Sequence, residues 1–168
     1  MSAKRARTTP IRTALLPESA LQKLVQDGLG GVDNAHRAYI DDELRTAFAD
    51  SLALDDAMLP GREEEHRWDY LLGHAASGSV IGLEPHSAKQ DQVSTVVKKR
   101  EAAREQLKGH LRPGQSVSRW CWVASGDVHF ANTERVRFQL DQNGIDFVGK
   151  RLLPKHLPST STTTPKKR

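Results

Sequence analysis

Two carboxylates, a histidine and a lysine stand at spacings that could serve one reaction: Asp69, Glu84, His86 and Lys99. Asp69 lies in His66-Arg67-Trp68-Asp69-Tyr70-Leu71-Leu72-Gly73, and Glu84 in Ser79-Val80-Ile81-Gly82-Leu83-Glu84-Pro85-His86. Strand side chains alternate between faces, so one acid on each of two paired strands can meet its counterpart on a shared face, given the right register. Two carboxylates there are hard oxygen donors of the kind that hold Mg²⁺ or Mn²⁺. A divalent cation neutralises charge on a phosphate and makes water a better nucleophile, the two demands of phosphodiester hydrolysis at neutral pH. An ammonium or guanidinium from Lys99 or Arg100 would stabilise the developing charge or orient the water. His86, with an ordinary pKa near neutrality, is a candidate general base or metal ligand. Structural roles compete for each group: Asp69 with Arg67 or Arg119, Glu84 with Arg100, and His86 at the start of a loop after Pro85.

The elements that must position these groups read as a β-hairpin feeding a helix. The first strand, residues 66–73, places Trp68, Tyr70 and Leu72 on one side and Asp69, Leu71 and Gly73 on the other. Residues 75–79, with Gly78, make the turn, and residues 79–86 form the second strand. Residues 90–109 then carry Val93, Val96, Val97, Ala103 and Leu107 at helical spacing. Lys99 falls beside that apolar stripe, Lys98 nearly opposite it, and Arg100 close to its middle, where it must snorkel or serve an acidic site.

Upstream, Ala20, Leu21, Leu24, Val25 and Leu29 predict a short amphipathic helix from Pro17, ended by Gly28, Gly30 and Gly31. Asp33-Asn34 predicts the N-cap of a second helix bearing Tyr39, Ile40, Leu44 and Phe48, with Glu43 at the border of its apolar side. Residues 50–62 read as a loop. Downstream, residues 117–124 have the aromatic and β-branched content of a central strand, residues 133–142 predict a helix, and residues 145–149 a short closing strand. Trp68, Trp120 and Trp122 read as core residues and Cys121 as a buried strand residue. The order predicts an α/β fold, a mixed β-sheet flanked by helices.

Of 168 residues, 37% are apolar and 27% charged, which suits one folded domain with tails and excludes a wholly disordered chain. The expected boundaries are a basic disordered tail at 1–15, a single domain at 16–153 and a second basic disordered tail at 154–168. The net charge of +4 belongs to the ends: residues 1–13 carry +4 and residues 150–168 carry +6, leaving −6 on residues 14–149. Basic ends hold polyanions loosely through counterion release. A single cysteine excludes an intrachain disulfide and a cysteine-rich zinc site. No apolar run approaches a bilayer span, and the first residues lack the apolar segment of a secretion signal, so a cytoplasmic protein without membrane contact is expected.

Over roughly residues 35 to 150, element order and acid placement resemble the PD-(D/E)XK nuclease superfamily, including its Holliday junction resolvase and restriction endonuclease branches. The resemblance implies a restriction endonuclease-like sandwich and a Mg²⁺- or Mn²⁺-dependent nuclease. It makes Asp69 and Glu84 metal-holding acids and Glu43 the helix glutamate found in some branches. Trp68 stands where the family has proline, and His86 where it has lysine. Some members supply the lysine from the following helix, and Lys99 is placed for that. The implied partner is nucleic acid, DNA ahead of RNA. The alternative is a non-catalytic interaction protein whose acidic body binds a protein partner while its basic tails contact nucleic acid.

Overall fold

The computed structural model describes residues 8–128 and 134–159. In chain order these residues form α1 (Pro10–Ala14), β1 (Gln26–Asp27), β2 (Phe48–Ala53), α2 (Leu54–Met58), β3 (Tyr70–His74), β4 (Ser79–Ala88), α3 (Val93–Leu107), β5 (Val117–Val128), α4 (Glu134–Gln142) and β6 (Ile145–Phe147). One mixed sheet takes all six strands in sequence order. The pairs from β1 to β4 are antiparallel, and β5 and β6 add on in parallel. Parallel neighbours need crossover connections, which α3 and α4 supply.

Alternation divides the core into two. Leu71 of β3, Val80 of β4, and Trp120 and Trp122 of β5 face a cluster shared with Ile11, Leu54, Val96, Ala103 and Leu140. All four α-helices feed that cluster. On the other face, Leu72, Ile81, Leu83, Cys121 and Val123 pack with Ile40, Leu44 and Leu152. That face is covered by 3-10 turns at Asn34–Tyr39 and Asp42–Leu44 and by the segment around Leu152, so the helices lie on one side of the sheet.

Several expectations need correction. Residues 10–15 belong to the packed body: Ile11 and Leu15 are buried, and α1 is capped by the buried Asp50 carboxylate, which accepts the N–H groups of Ile11 at 3.0 Å and Arg12 at 3.2 Å. First-turn N–H groups have no partner within their own helix, and Asp50 supplies one from β2. Pro154–His156 is likewise ordered, a 3-10 turn in which the His156 ring accepts the Leu153 N–H at 2.9 Å. Residues 160–168 lie outside the described residues.

The helix expected from Pro17 is instead a 3-10 turn at Gln22–Leu24 followed by β1. The second helix breaks into 3-10 turns, although Asp33 does cap the first by accepting the Ala35 N–H at 3.1 Å. Phe48 opens β2, and the expected loop at 50–62 contains the rest of β2 and α2. Trp68 precedes β3 and packs on the helix side with Trp120, whereas Tyr70 and Leu72 face the other way.

The hairpin, α3 and the strands after it are present as expected, although β3 begins only at Tyr70 and β5 runs on to Val128, past the expected end at 124. Gly78 turns β3 into β4 at φ +72°, a conformation costly for residues with a Cβ. α3 buries Val93, Val96, Ala103 and Leu107.

Candidate functional site

β3 pairs with β4 so that Tyr70 lies opposite Leu83 and Leu71 opposite Gly82. One step before β3, Asp69 therefore comes beside Glu84 on the helix-covered face. Its backbone N–H donates to Glu84 Oε1 at 2.9 Å. The second oxygen, Oε2, receives the ammonium of Lys99 from α3. That ammonium also lies 3.8 Å from Asp69 Oδ1. Glu84 is fully buried, while Asp69 and Lys99 keep 19% and 18% of their side-chain surface exposed. The site is therefore shielded but reachable.

Burial, then the Glu84 charge, pushes the Asp69 carboxyl up to about 7; Asp55 adds to the rise, and Lys99 and His86 oppose it. Taking a carboxylate out of water disfavours its charged form, and a second carboxylate beside it does the same.

His86 follows on the same face of β4. Its Nδ1 lies 3.5 Å from Glu84 Oε2 and its Nε2 2.7 Å from Gln92 Oε1. Both ring nitrogens thus face acceptors, an arrangement that suits the doubly protonated ring. The pKa is raised, first by the hydrogen bond to Glu84 and also by Gln92, against the effect of burial. The raised pKa and the two facing acceptors favour the protonated, donating ring. The His86 carbonyl accepts the Trp122 indole N–H at 3.1 Å, fastening β4 to β5 beside the site.

Of the expected site residues, Asp69, Glu84, His86 and Lys99 come together. Glu43 does not. It is exposed in the 3-10 turn Asp42–Leu44, whose Leu44 packs against the opposite face of the sheet. The competing ion pairs are also resolved: Arg67 pairs with Asp55 at 2.6 Å, and Arg119 donates to the His156 carbonyl at 3.2 Å. Arg100 leaves Glu84 to Lys99 and lies over Trp120, 5.9 Å from the ring centre.

Asp69 also opens onto a cavity of about 350 Å³ lined by Asp33, His36, Asp55, Asp56 and Tyr70. The Asp55 N–H donates to the Asp69 carbonyl at 3.2 Å, tying α2 to the site. Tyr70 Oη lies 2.6 Å from His36 Nδ1. The adjacent acids Asp55 and Asp56 were the available signal for this wall, hidden inside a segment that reads as loop.

The donor set fits a hard divalent cation in one respect. Two carboxylates converge on a point already occupied by a positive charge, and Mg²⁺ commonly takes one or two carboxylates while keeping several waters. Among the described residues no group of three or more His, Cys, Asp or Glu forms a ready metal cage. No described helix is long and apolar enough to cross a membrane. No protein-family model matches the chain, and neither a curated protein nor a solved structure is significantly similar to it.

Proposed function

We propose that the chain is a metal-dependent nuclease of the PD-(D/E)XK type, with a restriction endonuclease-like order of elements but its α-helices on one face of the sheet, that hydrolyses phosphodiester bonds of nucleic acid. The observation that carries this reading is the convergence of Asp69, Glu84 and Lys99, with the lysine reaching both acids. The order β2–β3–β4–α3–β5 supports it, because it brings an acid before one strand, an acid in the next and a lysine from the following helix to one place.

Asp69 and Glu84 would hold Mg²⁺ or Mn²⁺, which when bound supplies charge neutralisation at the phosphate and a more acidic water. Lys99, with three donors, orients a phosphate oxygen or the attacking water beside the acids. In the hydrolysis the water oxygen bonds to phosphorus, one bridging P–O bond breaks, and the leaving oxygen gains a proton. His86, when protonated, adds positive charge 3.5 Å from Glu84 Oε2. The Asp69 N–H donates to the other oxygen of that carboxylate.

The acidic cavity favours a second reading. Asp33, Asp55, Asp56 and Asp69 gather negative charge that would attract a basic segment of a protein partner as readily as a cation. Titrating Mn²⁺ by calorimetry into the wild type and an Asp69→Asn/Glu84→Gln variant, both checked for folding, separates the two. Binding lost in the variant supports the metal site. No binding by the wild type, or equal binding by both, refutes it and favours the interaction reading.

A further inference from the structure

Beyond the acid pair, α3 carries a second feature of opposite sign. A cavity of about 490 Å³ lies between α3, the segment 111–116 and the start of β5, with Arg100, Arg104, Lys108, Arg112 and Trp120 among its walls. Ser116 and Gln115 add neutral polar groups, and no acid lines it among the described residues. Arg100, Arg104 and Lys108 recur every four residues along one helix, so they follow one another on nearly the same side. Arg112 joins them from beyond the helix end, held by its Nε–H donating to the Thr13 carbonyl at 2.9 Å.

Arg100 is the unusual member. It occupies the middle of the apolar stripe of α3, rests over Trp120, and leaves its Nε buried without a hydrogen-bond partner among the described residues. A buried donor without an acceptor costs free energy, and a guanidinium is shaped to meet phosphate oxygens. Burial and the neighbouring Arg104 both disfavour its charged form. A bound anion would offset that repulsion.

We infer that this cavity is a phosphate-binding site. It takes the source of that phosphate from the nuclease reading, on which it rests to this extent: the phosphate belongs to the strand that is cleaved at Asp69 and Glu84. Arg104 stands about 7.5 Å along the helix axis from Lys99 and about 140° round it, at ~1.5 Å and ~100° per residue. Arg100 and Arg104, charged to attract a polyanion, thus share α3 with Lys99 of an acidic site that would repel it without a cation. A free phosphate compound has the same chemistry and is the other possible source.

The test uses the full chain in metal-free buffer, so that cleavage plays no part. Inorganic pyrophosphate and a single-stranded oligonucleotide are titrated into the wild type, Arg104→Gln/Lys108→Gln and a Lys98→Gln/Lys89→Gln control. All four substituted side chains are exposed, so folding should survive, and circular dichroism checks it. The cavity variant should bind oligonucleotide about tenfold more weakly, with a salt slope smaller by roughly 1.4 for two lost single-strand contacts. The control should lose much less. Pyrophosphate binding that is sensitive to the cavity variant, without oligonucleotide binding, supports a site for free phosphate compounds and counts against the nuclease reading. Equal losses in the two variants, or no loss in either, would overturn the phosphate site whatever the outcome of cleavage assays.

Discussion

Lys99 and Glu84 form a buried ion pair across the interface between α3 and β4, and the same carboxylate takes the Asp69 N–H on its other oxygen at 2.9 Å. One fully buried acid therefore joins a helix, a strand and the residue leading into the neighbouring strand β3. Removing the cation while keeping the acid should be the costly change. Lys99→Met is expected to destabilise the fold by about 3–5 kcal/mol, because it leaves a buried charge poorly compensated. Adding Glu84→Gln should recover part of that loss. Urea denaturation of the two single variants and the double variant measures the coupling, and strictly additive losses would mean that the pair does not act as a unit.

The raised pKa of Asp69 makes metal-free stability depend on pH. The folded chain keeps a proton up to about 7 on a group whose ordinary value is 3.8. Between those values the native state binds more protons than the unfolded chain, so stability falls as pH rises. His86, raised by its bond to Glu84, adds a loss in the same direction as pH climbs through its elevated folded value. Asp69→Asn, which cannot ionise, should remove the lower part of this decline. Melting temperatures recorded in EDTA from pH 4 to pH 8 check it; a wild type that gains stability over that range would contradict the assigned environment.

Gly82 is set by the two tryptophans above it. A Cβ there would come within 2.8 Å of Trp120 Cε3 and 2.9 Å of Trp68 Nε1. These rings are large, buried and packed edge-to-face at 5.0 Å, so neither can easily move aside. Gly82→Ala should cost about 1–3 kcal/mol through overpacking. Chemical denaturation reads the loss, and a variant as stable as the wild type would show that the pair has slack.

Cys121 should be inert in the native state. It is fully buried in β5, and burial pushes its thiol up to about 12, far from the reactive thiolate. A thiol-specific reagent should modify it only as the chain unfolds. Rapid labelling of the folded protein would contradict this placement.

The sequence made the β3–β4 hairpin, α3 and β5 legible because their alternation or helical spacing runs long enough to count. β2 escaped notice because its interior is polar. Asp50 and Ser51 are both buried, Asp50 capping α1 and Ser51 Oγ accepting the Gly31 N–H at 2.8 Å. Those partners lie far away in sequence, so hydropathy reads them as loop residues. The helical spacing of residues 35–48 was real but misleading: Ile40 and Leu44 reach the core from consecutive 3-10 turns. That error carried Glu43 into the expected site. Asp69, Glu84 and Lys99 were found because strand alternation and helix rotation constrain side-chain direction even where element boundaries shift. The basic cavity depends on Arg112 and Trp120 meeting α3 in space, which no local pattern reveals.

The central claim is tested most directly by incubating the full chain with labelled DNA and RNA, with and without Mg²⁺ or Mn²⁺, alongside folded Glu84→Gln and Lys99→Met variants. The account predicts metal-dependent cleavage by the wild type and a loss of at least about a hundredfold in each variant, the scale for removing a group that stabilises the transition state. Cleavage unchanged in the folded variants would contradict the assigned site, and a wild type that cleaves neither substrate with either metal would contradict the nuclease reading.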